Sequence, residues 1–274
     1  MTASYPEIIL AVCLLILPIL YESSHVFRYY LKFFVYYSIG MINSVILLPV
    51  FCCRPRDVRN LLVASDFCRI VSTLVGLRWT IRGKENLEKK QACIILSNHQ
   101  SSLDVLGIME IWRLMDKCTV IAKRELLFAG PFGLASYLCG LIFIPRIQTD
   151  KAKNIMNEAA NRLKSDKIKL WVFPEGTRRN DGKIHSFKKG AFHMAITNKL
   201  PIVPVVYSRY YFLDKTTKYF GSGNVTITAL PQIETKDLSL DDLDELMERV
   251  RNLMSATYYV TSKEGLSSAN QKAT

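Results

Sequence analysis

Much of the common vocabulary of catalytic motifs is missing from this chain of 274 residues. It has no GxSxG elbow to present a hydrolase serine. It has no Walker A loop, no GxGxxG and no HExxH, which removes the familiar nucleotide, dinucleotide and zinc-protease signatures. The seven cysteines are Cys13, Cys52, Cys53, Cys68, Cys93, Cys118 and Cys139. They form no CxxC pair and no Cys/His set at zinc spacing, so neither a bound metal nor a cofactor is expected. Most of them sit in apolar runs, as reduced, buried thiols of a cytosol-facing domain would. For Cys52 and Cys53, palmitoylation and simple packing both stay open. There is no internal repeat, no low-complexity tract and no retention signal of the KDEL type.

What is present is apolar surface and positive charge. Hydrophobic residues make up 49% of the chain, and 36 Lys and Arg stand against 24 Asp and Glu, a net charge of +12. Residues 1–53 carry only Arg28 and Lys32 against Glu7 and Glu22. The whole surplus therefore lies in the rest of the chain. A basic body beside an apolar N-terminus suits an anionic membrane surface or anionic substrates. No nucleic-acid-binding motif accompanies the charge, so nucleic acid is not an expected partner.

The run Phe33–Cys53 holds no charged residue, and as a helix it would reach roughly 31 Å, about the apolar thickness of a bilayer. Arg54, Arg56 and Arg59 follow it, which under the positive-inside rule places the body on the cytosolic side. Arg28 and Lys32 on the other flank argue the opposite way. A shorter run, Ile8–Tyr21, reads as a thin span, a half-inserted helix or a signal-like segment, and no Lys or Arg precedes it as in a cleaved signal peptide. Asn224-Val225-Thr226 is a glycosylation sequon, but it falls in a strand-like run and reads as a chance match.

Beyond a helix expected at Asp57–Val75, short apolar runs alternate with helical periodicity. Strands are predicted at Trp79–Arg82, Ala92–Ser97, Thr119–Ala122, Leu141–Ile144, Leu170–Phe173, Ile202–Val206 and Val225–Ala229. Helices are predicted at Leu103–Leu114, Pro131–Leu138, Lys151–Leu163, Lys189–Thr197 and Leu240–Thr257. This alternation predicts an α/β fold, a mostly parallel central sheet flanked by helices, behind an N-terminal helical membrane anchor. The domain division is 1–56 membrane helices, 57–262 the α/β domain, and 263–274 a polar, disordered tail.

Four of the predicted strands end in polar or cationic clusters, and a parallel sheet would bring those ends to one edge, where α/β proteins place their sites. The first is Asn98-His99-Gln100-Ser101-Ser102-Leu103-Asp104. An Asp five residues after a His, in the first turn of a helix, can fold back on the imidazole and leave its other nitrogen as a base. The same residues also read as a loose capping box, with His99 a bystander. The second is Phe173-Pro174-Glu175-Gly176-Thr177-Arg178, a sharp turn presenting Glu175 and Arg178. An Arg fork suits a phosphate, though an ordinary surface ion pair would look the same. Lys123 and Arg124, with Gly130-Pro131-Phe132-Gly133 beyond them, form the third cluster. Arg146, closing Gly140-Leu141-Ile142-Phe143-Ile144-Pro145, is the fourth.

Taken in order, NHQSSLD, AKRELLFAGPFG, GLIFIPR, FPEGTR and the IVPVV stretch resemble the glycerolipid acyltransferases. They look most like the animal 1-acyl-sn-glycerol-3-phosphate (lysophosphatidic acid) acyltransferases of the endoplasmic reticulum. The resemblance covers roughly residues 50–260. It implies the glycerolipid acyltransferase fold, acyl-coenzyme A as co-substrate, lysophosphatidic acid as acceptor and a lipid bilayer as partner. His99 and Asp104 fall on the family's catalytic pair. Glu175, Gly176, Thr177 and Arg178 fall on the block that binds glycerol phosphate, Arg146 on an arginine linked to the acceptor phosphate, and Lys123 and Arg124 on a substrate-binding block. Pro204 falls in the last apolar block, linked to donor binding or packing. Pro145 stands where a polar residue is expected and Arg179 where an Asn is more familiar. The rival readings are an acyltransferase for another lysophospholipid and a non-catalytic lipid-binding protein of the same fold.

Overall fold

The computed structural model describes residues 4–145 and 149–270. Three helices come first: α1 (Tyr5–Ser23), α2 (His25–Cys53) and α3 (Asn60–Leu74). The body then runs β1 (Leu77–Arg82), a one-turn α4 (Glu85–Glu88), β2 (Cys93–Ser97), α5 (Asp104–Met115), β3 (Cys118–Lys123), α6 (Gly130–Leu138), β4 (Ile142–Ile144), α7 (Thr149–Asp166), β5 (Lys169–Val172), α8 (Gly190–Asn198) and β6 (Ile202–Tyr207). A short hairpin, β7 (Leu213–Asp214) and β8 (Tyr219–Phe220), leads into β9 (Gly223–Ala229), and α9 (Leu243–Asn270) closes the described chain. All seven predicted strands are found, each within two residues of its expected ends.

They form one seven-stranded sheet in the order β1-β9-β6-β2-β5-β3-β4. Every pairing in it is parallel except β6 with β9. The core shows why both faces had to be covered. Ile95 and Trp171 point to one side, with Leu106, Trp112 and Tyr207. Their strand neighbours Ile94, Leu96, Leu170 and Val172 point to the other, with Phe192, Val250 and Met254. Strands buried on both faces read as continuous apolar runs rather than as an alternation.

The apolar helix α2 does not project from the body. Lys32, Asn43, Ser44, Leu47 and Phe51 are buried along one side of it, spanning about 28 Å of helix. Its opposite side exposes Phe34, Met41, Ile42, Val45, Ile46 and Val50, beside Phe67, Ile70 and Leu74 of α3. By length and composition it is the one described helix apolar enough to cross a membrane. The two charges that weakened the expected orientation, Arg28 and Lys32, have local partners. Arg28 donates to Tyr21 O at 2.9 and 2.7 Å, closing the C-terminal turn of α1. Lys32 reaches out of α2 to donate to Gly221 O at 2.8 Å and lies over the Phe220 ring. Snorkelling of this kind keeps the stem in apolar contact while the ammonium finds a carbonyl.

The polar tail expected from residue 263 is helical as far as Asn270. Small hydroxyl side chains look like a linker in sequence, but here they are packed. Thr261 and Ser262 are buried, Ser262 Oγ accepts from Arg209 N at 2.9 Å, and Glu264 pairs with Arg82 at 2.8 Å. Residues 271–274 and Arg146 lie outside the described residues.

Candidate active site

The C-terminal ends of β2, β5, β3 and β4 lie side by side, so the predicted gathering of strand ends is realised. After β2 the chain turns through Asn98–Leu103 into α5. Asn98 and Gln100 fix this turn to the far end of β6. Asn98 exchanges bonds with Tyr207, donating to its carbonyl at 3.0 Å and accepting from its N–H at 2.9 Å. Gln100 donates to Ser208 O at 2.9 Å and accepts from Tyr210 N and Tyr258 Oη, both at 3.3 Å.

Asp104 is fully buried, and its carboxylate is saturated. Oδ2 accepts from Gln100 N at 2.8 Å and lies 2.6 Å from His99 Nδ1. Both oxygens stand 3.2 Å from Ser101 N. The capping reading and the His–Asp reading are therefore both true of the same side chain. A carboxylate buried without such donors would be costly.

His99 lies flat on Phe173, ring centroids 3.9 Å apart and 17° from parallel. Its Nε2 accepts from Arg178 Nε at 3.3 Å. Since an arginine can only donate, Nε2 carries a lone pair and the ring proton sits on Nδ1, facing Asp104. That is the tautomer a general base needs.

Glu175, in the block that the resemblance links to glycerol phosphate, is turned inward. It is buried, with Oε1 accepting from His99 N at 2.8 Å and Oε2 from His185 N at 3.1 Å. Both oxygens are engaged by main chain, one of them by the N–H of His99 itself. Burial pushes its carboxyl above the ordinary range, and the two amides pull it partly back. Arg179 completes the clamp, donating its N–H to His99 O at 2.9 Å. Its side chain meets His185 Nδ1 at 2.8 Å, and His185 Nε2 meets Asp181.

Gly176 sits in the same turn at φ +67°, a conformation that favours glycine. Thr177 and Arg178 are exposed beside it. Lys123 and Arg124 are exposed at the end of β3, two strands from β2, roughly 10 Å across the sheet edge. Pro204 lies inside β6, buried with its neighbours.

Two residues of the site gave no signal in sequence because they sit in the apolar helix. Tyr36 Oη donates to Ser102 O at 2.9 Å, and Tyr37 Oη bonds Ser102 Oγ at 3.0 Å. Helix α2 is thus tied to the turn that carries the His–Asp pair. Ser102 N–H makes no hydrogen bond among the described residues, and the two tyrosines fix the residue that bears it. We expect the double variant Y36F/Y37F to lose roughly tenfold in kcat, the order of one or two lost hydrogen bonds. The acceptor KM should change little, and steady-state rates in membranes check this.

The comparisons with known proteins place the chain among relatives. A family model described as Acyltransferase matches residues 78–208. The human 1-acyl-sn-glycerol-3-phosphate acyltransferase alpha is 39% identical over 91% of this chain and 88% of its own length. The human beta form is 38% identical over 93% and 92%. The yeast 1-acyl-sn-glycerol-3-phosphate acyltransferase is 37% identical over 80% and 71%. Among solved structures, that of the 1-acyl-sn-glycerophosphate acyltransferase PlsC of Thermotoga maritima matches with a TM-score of 0.67 at 24% identity, over 84% of this chain and 96% of that one. Fold, strand-end site and sequence kinship converge: the chain belongs to the family of 1-acyl-sn-glycerol-3-phosphate acyltransferases.

Proposed function

We propose that this acyltransferase moves a fatty-acyl group from acyl-coenzyme A to the sn-2 hydroxyl of lysophosphatidic acid, giving phosphatidic acid and free coenzyme A. The observation that carries the reading is the 2.6 Å contact between His99 Nδ1 and Asp104. It leaves the Nε2 lone pair facing an exposed arginine, beside a turn in which Ser102 N–H makes no hydrogen bond among the described residues.

In the reaction the acceptor hydroxyl displaces Arg178 from Nε2 and gives up its proton there. The freed oxygen attacks the thioester carbonyl. Positioned proton transfer of this kind is worth about 10²–10⁴ in rate, and Asp104 holds the resulting imidazolium. The tetrahedral oxyanion needs a donor. Ser101 N–H is committed to Asp104, and Leu103 N–H to Ser101 Oγ. Ser102 N–H is the amide left to meet it. The carbon–sulfur bond then breaks, and the thiolate of coenzyme A takes the proton from His99. Arg178, released from the histidine, turns to the acceptor phosphate, with Arg146 expected to join it. Lys123 and Arg124 extend the cationic edge toward the phosphates of the donor.

The exposed side of α2 and the neighbouring α3 residues form the face we assign to the bilayer. Both substrates carry acyl chains, and Tyr37 links that face directly to Ser102. The free thiols of the described cysteines are consistent with a domain on the cytosolic side of the endoplasmic reticulum. The test is acyl transfer in isolated membranes, with labelled oleoyl-coenzyme A and a panel of lysolipids. Phosphatidic acid formed from lysophosphatidic acid supports the reading. Acylation of a different lysolipid alone would refute the acceptor, and no acylation by folded protein would leave a lipid-binding protein of the same fold.

A further inference from the structure

Resting on that reading, we infer that Lys188 is a second side-chain cation for the acceptor phosphate and sets the preference for a phosphomonoester over a phosphodiester head group. Nothing in the motif order points to Lys188. It lies in the loop before α8, ten residues beyond Arg178, and reads in sequence as a helix-flanking charge. The fold brings it back. Lys188 N donates to Pro174 O at 2.8 Å, which pins the residue against the Glu175–Arg178 turn.

Its side chain then crosses Gly176. A methyl group at position 176 would stand 2.7 Å from Lys188 Cε and 2.9 Å from Nζ. The positive φ favours glycine here, and the tip of the lysine lies across the space a side chain would take. Lys188 is exposed, and its ammonium makes no hydrogen bond or ion pair among the described residues. Glu175, in the same turn, is directed inward onto two amides. Thr177 N–H and Arg178 N–H are likewise unpartnered among the described residues, and they follow a residue of positive φ, the arrangement in which successive amides make an anion-binding hollow.

The turn thus gathers donors from one short stretch: the Lys188 ammonium over Gly176, the Arg178 guanidinium and two amides. Their juxtaposition is directed at the vicinity of His99, since Arg178 already touches its Nε2. Two cations and two amides suit a dianion. A phosphomonoester loses its second proton near pH 6, whereas a head group esterified twice at phosphorus carries a single charge there. A lone arginine would serve either; the added ammonium favours the dianion.

The test uses the full chain in nanodiscs, with K188M, K188R and the wild type. Binding of glycerol 3-phosphate is measured by calorimetry, independently of turnover. K188M should weaken it roughly ten- to hundredfold, the size expected of one charge-assisted bond, and K188R should restore most of it. In the acylation assay the lysophosphatidic acid KM should rise by the same factor, with far smaller changes in kcat and in the acyl-coenzyme A KM. The wild-type rise in acceptor KM as pH falls through about 6 should flatten in K188M. Equal glycerol 3-phosphate binding by wild type and K188M, or no binding by the wild type, overturns the inference. If K188M loses binding while the wild type acylates no lysophosphatidic acid, the phosphate site stands and the acyl-transfer reading falls.

Discussion

Replacing His99 by alanine should lower acyl transfer at least roughly a thousandfold while the protein stays folded. The two halves of this expectation have separate physical grounds. The catalytic half follows from Nε2, which carries the lone pair at the mouth of the site, held there by the Nδ1 contact with Asp104. The other described side chains near the acceptor turn are engaged or are donors: Arg178 and Lys188 only donate, Glu175 is occupied by main chain, and both ring nitrogens of His185 are taken, by Arg179 and Asp181. The folding half follows from what the histidine leaves behind. Asp104 would lose one donor but keep the amides of Gln100 and Ser101, so no bare carboxylate is buried. The backbone of residue 99 would still be held by Glu175 and Arg179, because those bonds use only its N–H and C=O. Circular dichroism and thermal unfolding of H99A should match the wild type within a few degrees. Retained activity in a folded H99A would end the general-base mechanism.

Why this pair was legible in sequence, and other parts were not, has a local explanation. His99 and Asp104 lie within one turn, so their meeting depends only on a strand ending and a helix beginning where apolar periodicity says they do. The parallel order of β2, β5, β3 and β4 followed from runs apolar on both faces separated by helices. The antiparallel pairing of β9 with β6 did not, because Val225–Ala229 is equally apolar in either direction. What decides it is the return through the β7–β8 hairpin, whose two-residue strands are too short to show a period. The C-terminal extension of α9 was hidden by Thr261 and Ser262, whose burial depends on partners such as Arg209, far away in sequence. Tyr36 and Tyr37 were hidden differently. In an apolar helix two tyrosines read as residues of a membrane interface, and only the docking of α2 on the body shows that their hydroxyls are spent on Ser102.

Glu175 allows two readings, acceptor binding and positioning of His99, and its substitution separates them. Placed in the acceptor-binding block, it would be expected to raise the acceptor KM when removed. Placed as the structure has it, E175A should reduce kcat by roughly a hundredfold, with a much smaller change in acceptor KM, because the loss is one of orientation at His99. Stability should fall as well, by about 2–4 kcal/mol, since two inward-facing amides lose their acceptor and each such loss costs about 1–3 kcal/mol. E175Q keeps one oxygen for one amide but turns an NH₂ on the other, so it should lie between wild type and alanine. The pH dependence gives a third reading. Burial raises the Glu175 carboxyl in the folded state above its ordinary value of 4.5. A group raised on folding contributes stability below its unfolded pKa and loses it as pH rises through the folded value. The stability of wild type relative to E175Q should therefore decline as pH climbs from about 4 toward neutrality and then level off. Chemical unfolding of both proteins across that range measures the slope. A rise in acceptor KM at unchanged kcat would instead return Glu175 to the substrate, and the clamp on His99 would then rest on the Arg179 amide alone.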